Sequence, residues 1–316
     1  MATRIILDCD PGIDDALAIA FAHGHPAIDL LGITTVAGNV GLDRTTQNAL
    51  AVCEFIGANV PVTAGCATPL IRPALDARYV HGESGLGGAT LPPPTTRPAG
   101  GYAVDYLIDT VRAAPGEITV VATGPLTNIA LALRKEPLLP RLVRDFVIMG
   151  GSSGRGNTTP AAEYNIWADP EAAAVAFGAG WTVTMLGLDV TLRSGAGPGV
   201  LDRMRGLGQL GRELLLPALD QYRSTTDDGG PPVHDVCAVV HVAEPGLFGF
   251  VPARVGVETS GQLTSGMTVT DFGAADGNTR VAMTIDPVRF WDVTMGAYER
   301  VAAAITPRSL GPTIKH

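Results

Sequence analysis

No uninterrupted apolar run in this chain reaches the roughly 20 residues that a membrane span needs, although 46% of its 316 residues are hydrophobic. That apolar content is therefore free to build a core. A secretory leader would place a basic region ahead of an apolar stretch, whereas "RIILDCD" reaches acid at once. A soluble, cytoplasmic protein is expected. Basic charge is also scarce: 22 Lys and Arg stand against 31 Asp and Glu, a formal charge of −9. A nucleic-acid backbone needs a basic face, so that class of partner is set aside. Small neutral substrates and a divalent cation remain compatible. The four cysteines, Cys9, Cys53, Cys66 and Cys237, form no C-x-x-C pair. Neither a zinc site nor a disulfide framework is supported, and buried reduced thiols are expected. Internal repeats and linkers are missing too, so a single domain over residues 1–316 is expected.

What the chain does have is a rhythm of β-branched runs and Ala-rich helical patterns. "RIILDC", "IDLLGITTVAG", "VPVTAG", "ITVVATG", "RDFVIMGG" and "WTVTMLGLDVT" read as strands. Between them "DDALAIAFAHG", "RTTQNALAVCEFIGA", "AVDYLIDTVRAA", "PLTNIALALRK" and "DPEAAAVAFGAG" read as helices. Strands separated by helices of that length imply βαβ units and an open, mostly parallel α/β sheet. Ligands of such sheets bind beyond the carboxyl ends of the strands. Two stretches break the rhythm: residues 81–101, rich in Gly and Pro, and residues 224–233, "STTDDGGPPV". Loops of that length tend to be functional lids or connections. Near the end "ARVGVETSGQLTSGMTVTDF" alternates as a β-hairpin, and "PVRFWDVTMGAYERVAAAI" closes as an amphipathic helix.

The densest chemical signal is acidic. Asp8, Asp10, Asp14 and Asp15 fall within eight positions, where the first strand ends and a helix begins. One Asp at a helix N-terminus is favourable by about 0.3–1 kcal/mol, and a mere cap is the plain reading of one. Four are another matter, because two unit charges about 4 Å apart repel by roughly 4 kcal/mol at an effective dielectric of 20. A hard divalent cation held by oxygens reverses that sign. Further polar residues follow other strands: Asn39, Thr123, Asn157, Glu163, Asn165 and the pair His234–Asp235, with Met149 before "GG". Each has a plain alternative. Asn39 could hold a left-handed turn, Glu163 could lie on the surface, and His234 could merely precede a helix cap. Together they form a ring of oxygen donors and one histidine at a single end of a parallel sheet.

These motifs have a family likeness. "DCDPGIDD", "ITTVAGNV", "HGESGLGG", "TGPLTNIA", "VIMGG", "AEYNIWADPEAA", "VHD" and "LTSGMTVTDF" occur in order over nearly the whole chain. In this the sequence resembles the inosine–uridine-preferring nucleoside hydrolases. The resemblance implies their open, mostly parallel sheet with a Rossmann-like core. It also implies hydrolysis of the N-glycosidic bond of ribonucleosides to ribose and free base, in purine and pyrimidine salvage. By the same resemblance Asp10, Asp15, the Thr123 carbonyl and Asp235 would hold a calcium ion. Calcium suits a diol, a carbonyl and several carboxylates better than magnesium, because together they exceed six oxygens. Asp14, Asn39, Glu163 and Asn165 would bind the sugar, with Asn157 near its 5′-hydroxyl and Met149 under the ring. Asp10 would accept the proton of the attacking water, and His234, titrating near neutrality, would donate to the leaving base. A homodimer or homotetramer is implied as well.

One departure concerns the base. Some relatives carry an aromatic-rich segment ahead of the "HD" pair, shortened here to "STTDDGGPPV", which leaves Tyr222 as the nearest upstream aromatic. His81 is expected either to line the base pocket or to sit on a lid as a polar turn residue. Two other functions compete. In an aspartate-nucleophile phosphatase Asp8 would attack phosphorus and Asp10 would act as acid–base, but Pro11 replaces the usual hydroxyl residue and the later lysine constellation is missing. A catalytically silent nucleoside binder would not need the full set of Asp10, Asp14, Asp15, Asn39, Asn165, His234 and Asp235.

Overall fold

A computed structural model describes residues 2–223 and 230–305. The expected loop at 224–233 therefore falls largely outside the described residues. Nine strands form one sheet in the order β3-β2-β1-β4-β5-β6-β9-β7-β8. They are β1 (Thr3–Cys9), β2 (Ile28–Thr35), β3 (Val62–Ala64), β4 (Ile118–Ala122), β5 (Asp145–Met149), β6 (Val183–Leu186), β7 (Phe248–Val257), β8 (Thr268–Asp271) and β9 (Thr279–Ile285). Pairing is parallel from β3 through to β9 and antiparallel for β9–β7 and β7–β8. The chain winds outward from β1 to β3, then crosses back to β4 on the other side of β1. That reversal opens a crevice at the carboxyl ends of β1 and β4, where ligands of open α/β sheets bind.

The helices that bear on this end are α1 (Ile13–Gly24), α2 (Leu42–Ile56), α3 (Arg78–His81), α4 (Ala103–Ala113), α5 (Thr127–Lys135), α6 (Tyr164–Ala168), α7 (Pro170–Phe177), α8 (Leu188–Thr191), α9 (Leu216–Arg223), α10 (His234–Ala243) and α11 (Pro287–Ala304). Alternation along β1 sends Ile5, Leu7 and Cys9 to one face, against α1, α2, α10 and α11. Ile6 points to the other, against α4, α5 and α7. Both faces are covered, as the apolar strand runs require. All four cysteines are free and buried, as expected.

Three elements differ from the sequence reading. The run "WTVTMLGLDVT" is strand only to Leu186; Gly187 then turns the chain into α8, where the Leu188 amide bonds the Gly151 carbonyl at 2.9 Å. Val190 and Thr191 look like strand residues, yet the backbone bond to the neighbouring strand end overrides their propensity. The 81–101 stretch is preceded by the short helix α3, whose last residue is His81. The hairpin of β7 and β8 exists, but β9, unread in the sequence, inserts between β6 and β7 and joins the hairpin to the main sheet. No helix among the described residues is long and apolar enough to cross a membrane.

Candidate active site

The carboxyl ends of the central strands border a cavity of about 340 Å³, within the range of about 300–1,000 Å³ common for small-molecule sites. Asp14 and Asp15 open α1 immediately after β1, and Asp235 opens α10. One carboxylate oxygen from each of these three residues lies within 4.8 Å of the others. All three are buried. Asp10 sits behind them, with Oδ2 accepting from the Asn39 amide at 2.7 Å. Its Oδ1 is buried with no hydrogen-bond partner. Burial, together with Asp15 and Asp14, holds the Asp10 carboxyl well above the usual carboxylate range. Burial and the other acids do the same to Asp235, and burial and Asp14 push Asp15 up to about 7. Such packing of like charges is costly in low dielectric. An all-oxygen donor set with an orphaned buried oxygen fits a hard cation. Asp14 stands inside this cluster, although the sequence reading assigned it to the sugar.

The remaining residues converge on the same cavity. Asn39, Thr123, Met149, Asn157, Glu163 and Asn165 all line it. Asn39 is not in a left-handed turn, since no described non-glycine residue has positive φ. Its Nδ2 donates to the Asp10 carbonyl and to Asp15 Oδ2 at 3.2 and 3.1 Å. Glu163 is buried and caps α6, accepting from the Asn165 and Ile166 amides at 3.0 and 3.3 Å, and from Gly151 at 2.9 Å. Burial nevertheless raises its carboxyl to about 7. Asn165 Nδ2 donates to the carbonyls of Thr123 and Met149, at 2.8 and 3.1 Å. Thr123 also binds Asp15 Oδ1 through its hydroxyl at 3.0 Å. Asn157 lies exposed at the rim and accepts from the Tyr164 amide at 3.0 Å.

The profile of inosine–uridine-preferring nucleoside hydrolases matches residues 5–292. The chain belongs to that family. A Leishmania major inosine–uridine-preferring nucleoside hydrolase is 44% identical over 310 residues, covering 95% of this chain and 99% of that protein. A non-specific ribonucleoside hydrolase of Salmonella newport is 44% identical over 300 residues, covering 93% and 98%. Among solved structures, a purine-preferring ribonucleoside hydrolase from Gardnerella vaginalis superposes with a TM-score of 0.89 at 32% identity, covering 95% and 99%. The protein is thus an enzyme, a ribonucleoside hydrolase.

Within this hydrolase Asp8 stands apart from the other acids. It is buried under the sheet, where Oδ1 accepts from Thr34 Oγ1 at 2.6 Å and from Asn128 Nδ2 at 2.8 Å. Asp8, Asp10 and Asp15 all lie outside the residues that line the cavity, but Asp8 is tied to Thr34 and Asn128 rather than to the acidic cluster, which speaks against its acting as the nucleophile of the phosphatase alternative. Two histidines face the cavity instead. His81 is buried, its Nδ1 accepting from the Ile13 amide at 3.1 Å; it is no surface residue of a lid. Burial and the neighbouring His234 drive its pKa down to about 3. Since Nδ1 is an acceptor, the neutral ring carries its proton on Nε2. His234 is half-buried with Nδ1 2.8 Å from Thr191 Oγ1. Loss of water around the ring lowers its pKa from 6.5 to about 4.

Among the cavity residues that sequence reasoning did not single out are Tyr79, Tyr164 and Leu192. Tyr164 stands between Glu163 and Asn165, and its hydroxyl donates to the Gly38 carbonyl at 2.7 Å. Its place in "AEYNIWADPEAA" was the available signal. Tyr222, the nearest aromatic upstream of the "HD" pair, also lines the cavity; it is buried, with its hydroxyl on Asp14 Oδ1 at 3.2 Å. Its ring meets His81 edge-on at 5.6 Å.

Proposed function

We propose that this ribonucleoside hydrolase is calcium-dependent and acts in nucleoside salvage in the cytoplasm, as a single-domain chain in a homodimer or homotetramer. The observation that carries the metal reading is the convergence of Asp14, Asp15 and Asp235 beside the unpartnered Asp10 Oδ1. Asp10, Asp15, the Thr123 carbonyl and Asp235 would hold the ion, and Asp14 is close enough to share in it or to bind the ribose diol beside it. When bound, calcium supplies a lowered pKa and a fixed orientation for water. Asp10 would accept the proton of the water that attacks the anomeric carbon.

Departure of the base leaves an oxocarbenium-like ribosyl centre. Glu163, Asn165, Asn39 and Asp14 surround the sugar position with carboxylates and amide oxygens already fixed by hydrogen bonds, so they stabilise positive charge without reorganising. Asn157 at the rim suits the 5′-hydroxyl, and Met149 the underside of the ring. The base accumulates negative charge as it leaves. His234 and His81 line the same cavity and would donate hydrogen bonds to it, and negative charge in that position would raise the proton affinity of His234.

Incubation with inosine, adenosine, uridine and cytidine, with released ribose quantified before and after chelation, tests this reading. Ribose release that chelator abolishes and calcium restores is expected. Undiminished release from a protein shown by elemental analysis to be metal-free would overturn the metal assignment.

A further inference from the structure

The motif "LTSGMTVTDF" supplies no residue to the lining of the cavity, yet it reaches the site from behind. Thr268, the first residue of β8, is buried. Its hydroxyl donates to the Ser152 carbonyl at 2.7 Å and accepts from the Ser152 amide at 2.9 Å. Ser152 follows the Gly150–Gly151 turn at the end of β5. Gly151 has a φ of 77°, a conformation that glycine adopts freely but does not itself enforce. The turn is held from outside. A Cβ on Gly151 would lie 2.9 Å from Thr268 Cγ2, so the threonine stands directly against it. From the other side the carboxylate of Asp189, on α8, accepts from the Ser153 amide and hydroxyl at 2.9 and 2.6 Å. Two residues before Thr268, Gly266 lies against the segment that carries Glu163. A Cβ there would be 2.7 Å from Trp167 Cα and 3.1 Å from Ala162 Cβ.

What the turn holds is Glu163. Its carboxylate accepts from the Asn165 and Ile166 amides of its own helix, which fix it only relative to α6. The Gly151 amide, 2.9 Å from Oε2, ties it to the end of β5. We propose that Thr268 is a positioning residue for the hydrolysis: with Asp189, it locks the Gly151 amide so that Glu163 meets the ribose in one orientation. This rests on the reading of Glu163 as a sugar-binding group. A carboxylate aimed at developing positive charge acts through fixed placement, and a small displacement of such a group is costly in rate. The hairpin is a brace that touches no substrate.

The test is steady-state kinetics of Thr268→Val and Thr268→Ser on inosine and uridine. Metal content is measured alongside, and hydrogen exchange of the Gly151 amide is followed by NMR. Valine keeps the shape of threonine but loses both bonds to Ser152. In Thr268→Val, kcat falls about ten-fold on both nucleosides, because the sugar is common to them, and KM changes by less than about two-fold. Metal content is retained, Gly151 exchanges about ten-fold faster, and Thr268→Ser restores both readouts. Added to Glu163→Gln, which lacks the carboxylate, Thr268→Val lowers kcat by less than about two-fold more. Wild-type kcat in Thr268→Val overturns the proposal. A further loss of about ten-fold in the Glu163→Gln background would route the effect elsewhere and overturn it too, as would loss of metal from Thr268→Val. If Thr268→Val does not fold, Asp189→Ala loosens the same turn from its other side; kcat lowered about ten-fold supports the proposal and unchanged kcat overturns it. Wild-type protein that releases ribose from no nucleoside sinks the functional reading instead. Gly151 exchange then decides the brace alone: faster exchange in Thr268→Val supports it and equal exchange overturns it.

Discussion

Ile13 donates its backbone amide to His81 Nδ1 at 3.1 Å, tying α3 to the start of the helix that carries Asp14 and Asp15. The approach is tight: a Cβ on the adjacent Gly12 would lie 2.5 Å from that same nitrogen and 2.6 Å from Asn39 Nδ2. One imidazole therefore satisfies an unpaired amide at a helix N-terminus and lines the cavity at once. Removing it in His81→Ala leaves the buried Ile13 amide without its acceptor. A loss of about 1–3 kcal/mol in urea unfolding is expected, together with weaker nucleoside binding. Unchanged stability would mean that solvent replaces the imidazole freely.

The acidic cluster makes metal content and catalysis separable. Asp15→Ala is expected to lower bound calcium in the purified protein, and Asp10→Ala to abolish turnover. Calcium should raise the melting temperature of the wild-type protein, because a ligand that binds only the folded state stabilises it. Elemental analysis and thermal unfolding check this. Full metal content in the Asp10→Ala/Asp15→Ala double variant would refute the ligand assignment.

His234 is tested through the leaving group. His234→Ala is expected to slow hydrolysis of ordinary nucleosides by about 10²–10⁴. A p-nitrophenyl riboside, whose leaving group needs no protonation, should lose far less, whereas Asp10→Ala should impair both. Metal content of the His234 variant must be measured first, since Asp235 is its neighbour. With metal retained, equal losses on the two substrates would make His234 a positioning residue only.

Acid stability turns partly on His241, remote from the cavity. It is buried against Phe248 and Phe250, with ring centroids 5.8 and 4.8 Å away, and its Nδ1 has no partner. Burial first, and then Arg280, lowers its pKa from 6.5 to about 4. The unfolded chain therefore takes up this proton first as pH falls. The stability linked to His241 is complete above pH about 6.5 and declines down to about 4, by on the order of 3 kcal/mol at most. His241→Phe should flatten that decline relative to wild type without loss at pH 7.5. Parallel pH–stability curves for the two proteins would rule the residue out.

The sequence by itself determined the parallel core and the polar set at its carboxyl end. Strand and helix periods are local properties, and the acids and amides follow strand ends directly, so their common side is dictated by topology. Periodicity could not reveal β9 as the strand joining the hairpin to the sheet, because that pairing links β6 to residues about a hundred positions away. Nor could it separate the acids. Asp8 and Asp10 are two residues apart, yet Asp8 is taken by Thr34 and Asn128 under the sheet, while Asp10 lies past the strand end beside Asp15. Only the tertiary structure brought Asp235 to Asp14 and Asp15, drew Tyr222 down onto Asp14 and left Tyr79 exposed beside the cavity. The reason is physical: side-chain type is written in the sequence, but burial, charge proximity and the water left around a ring arise from segments that meet only in the fold.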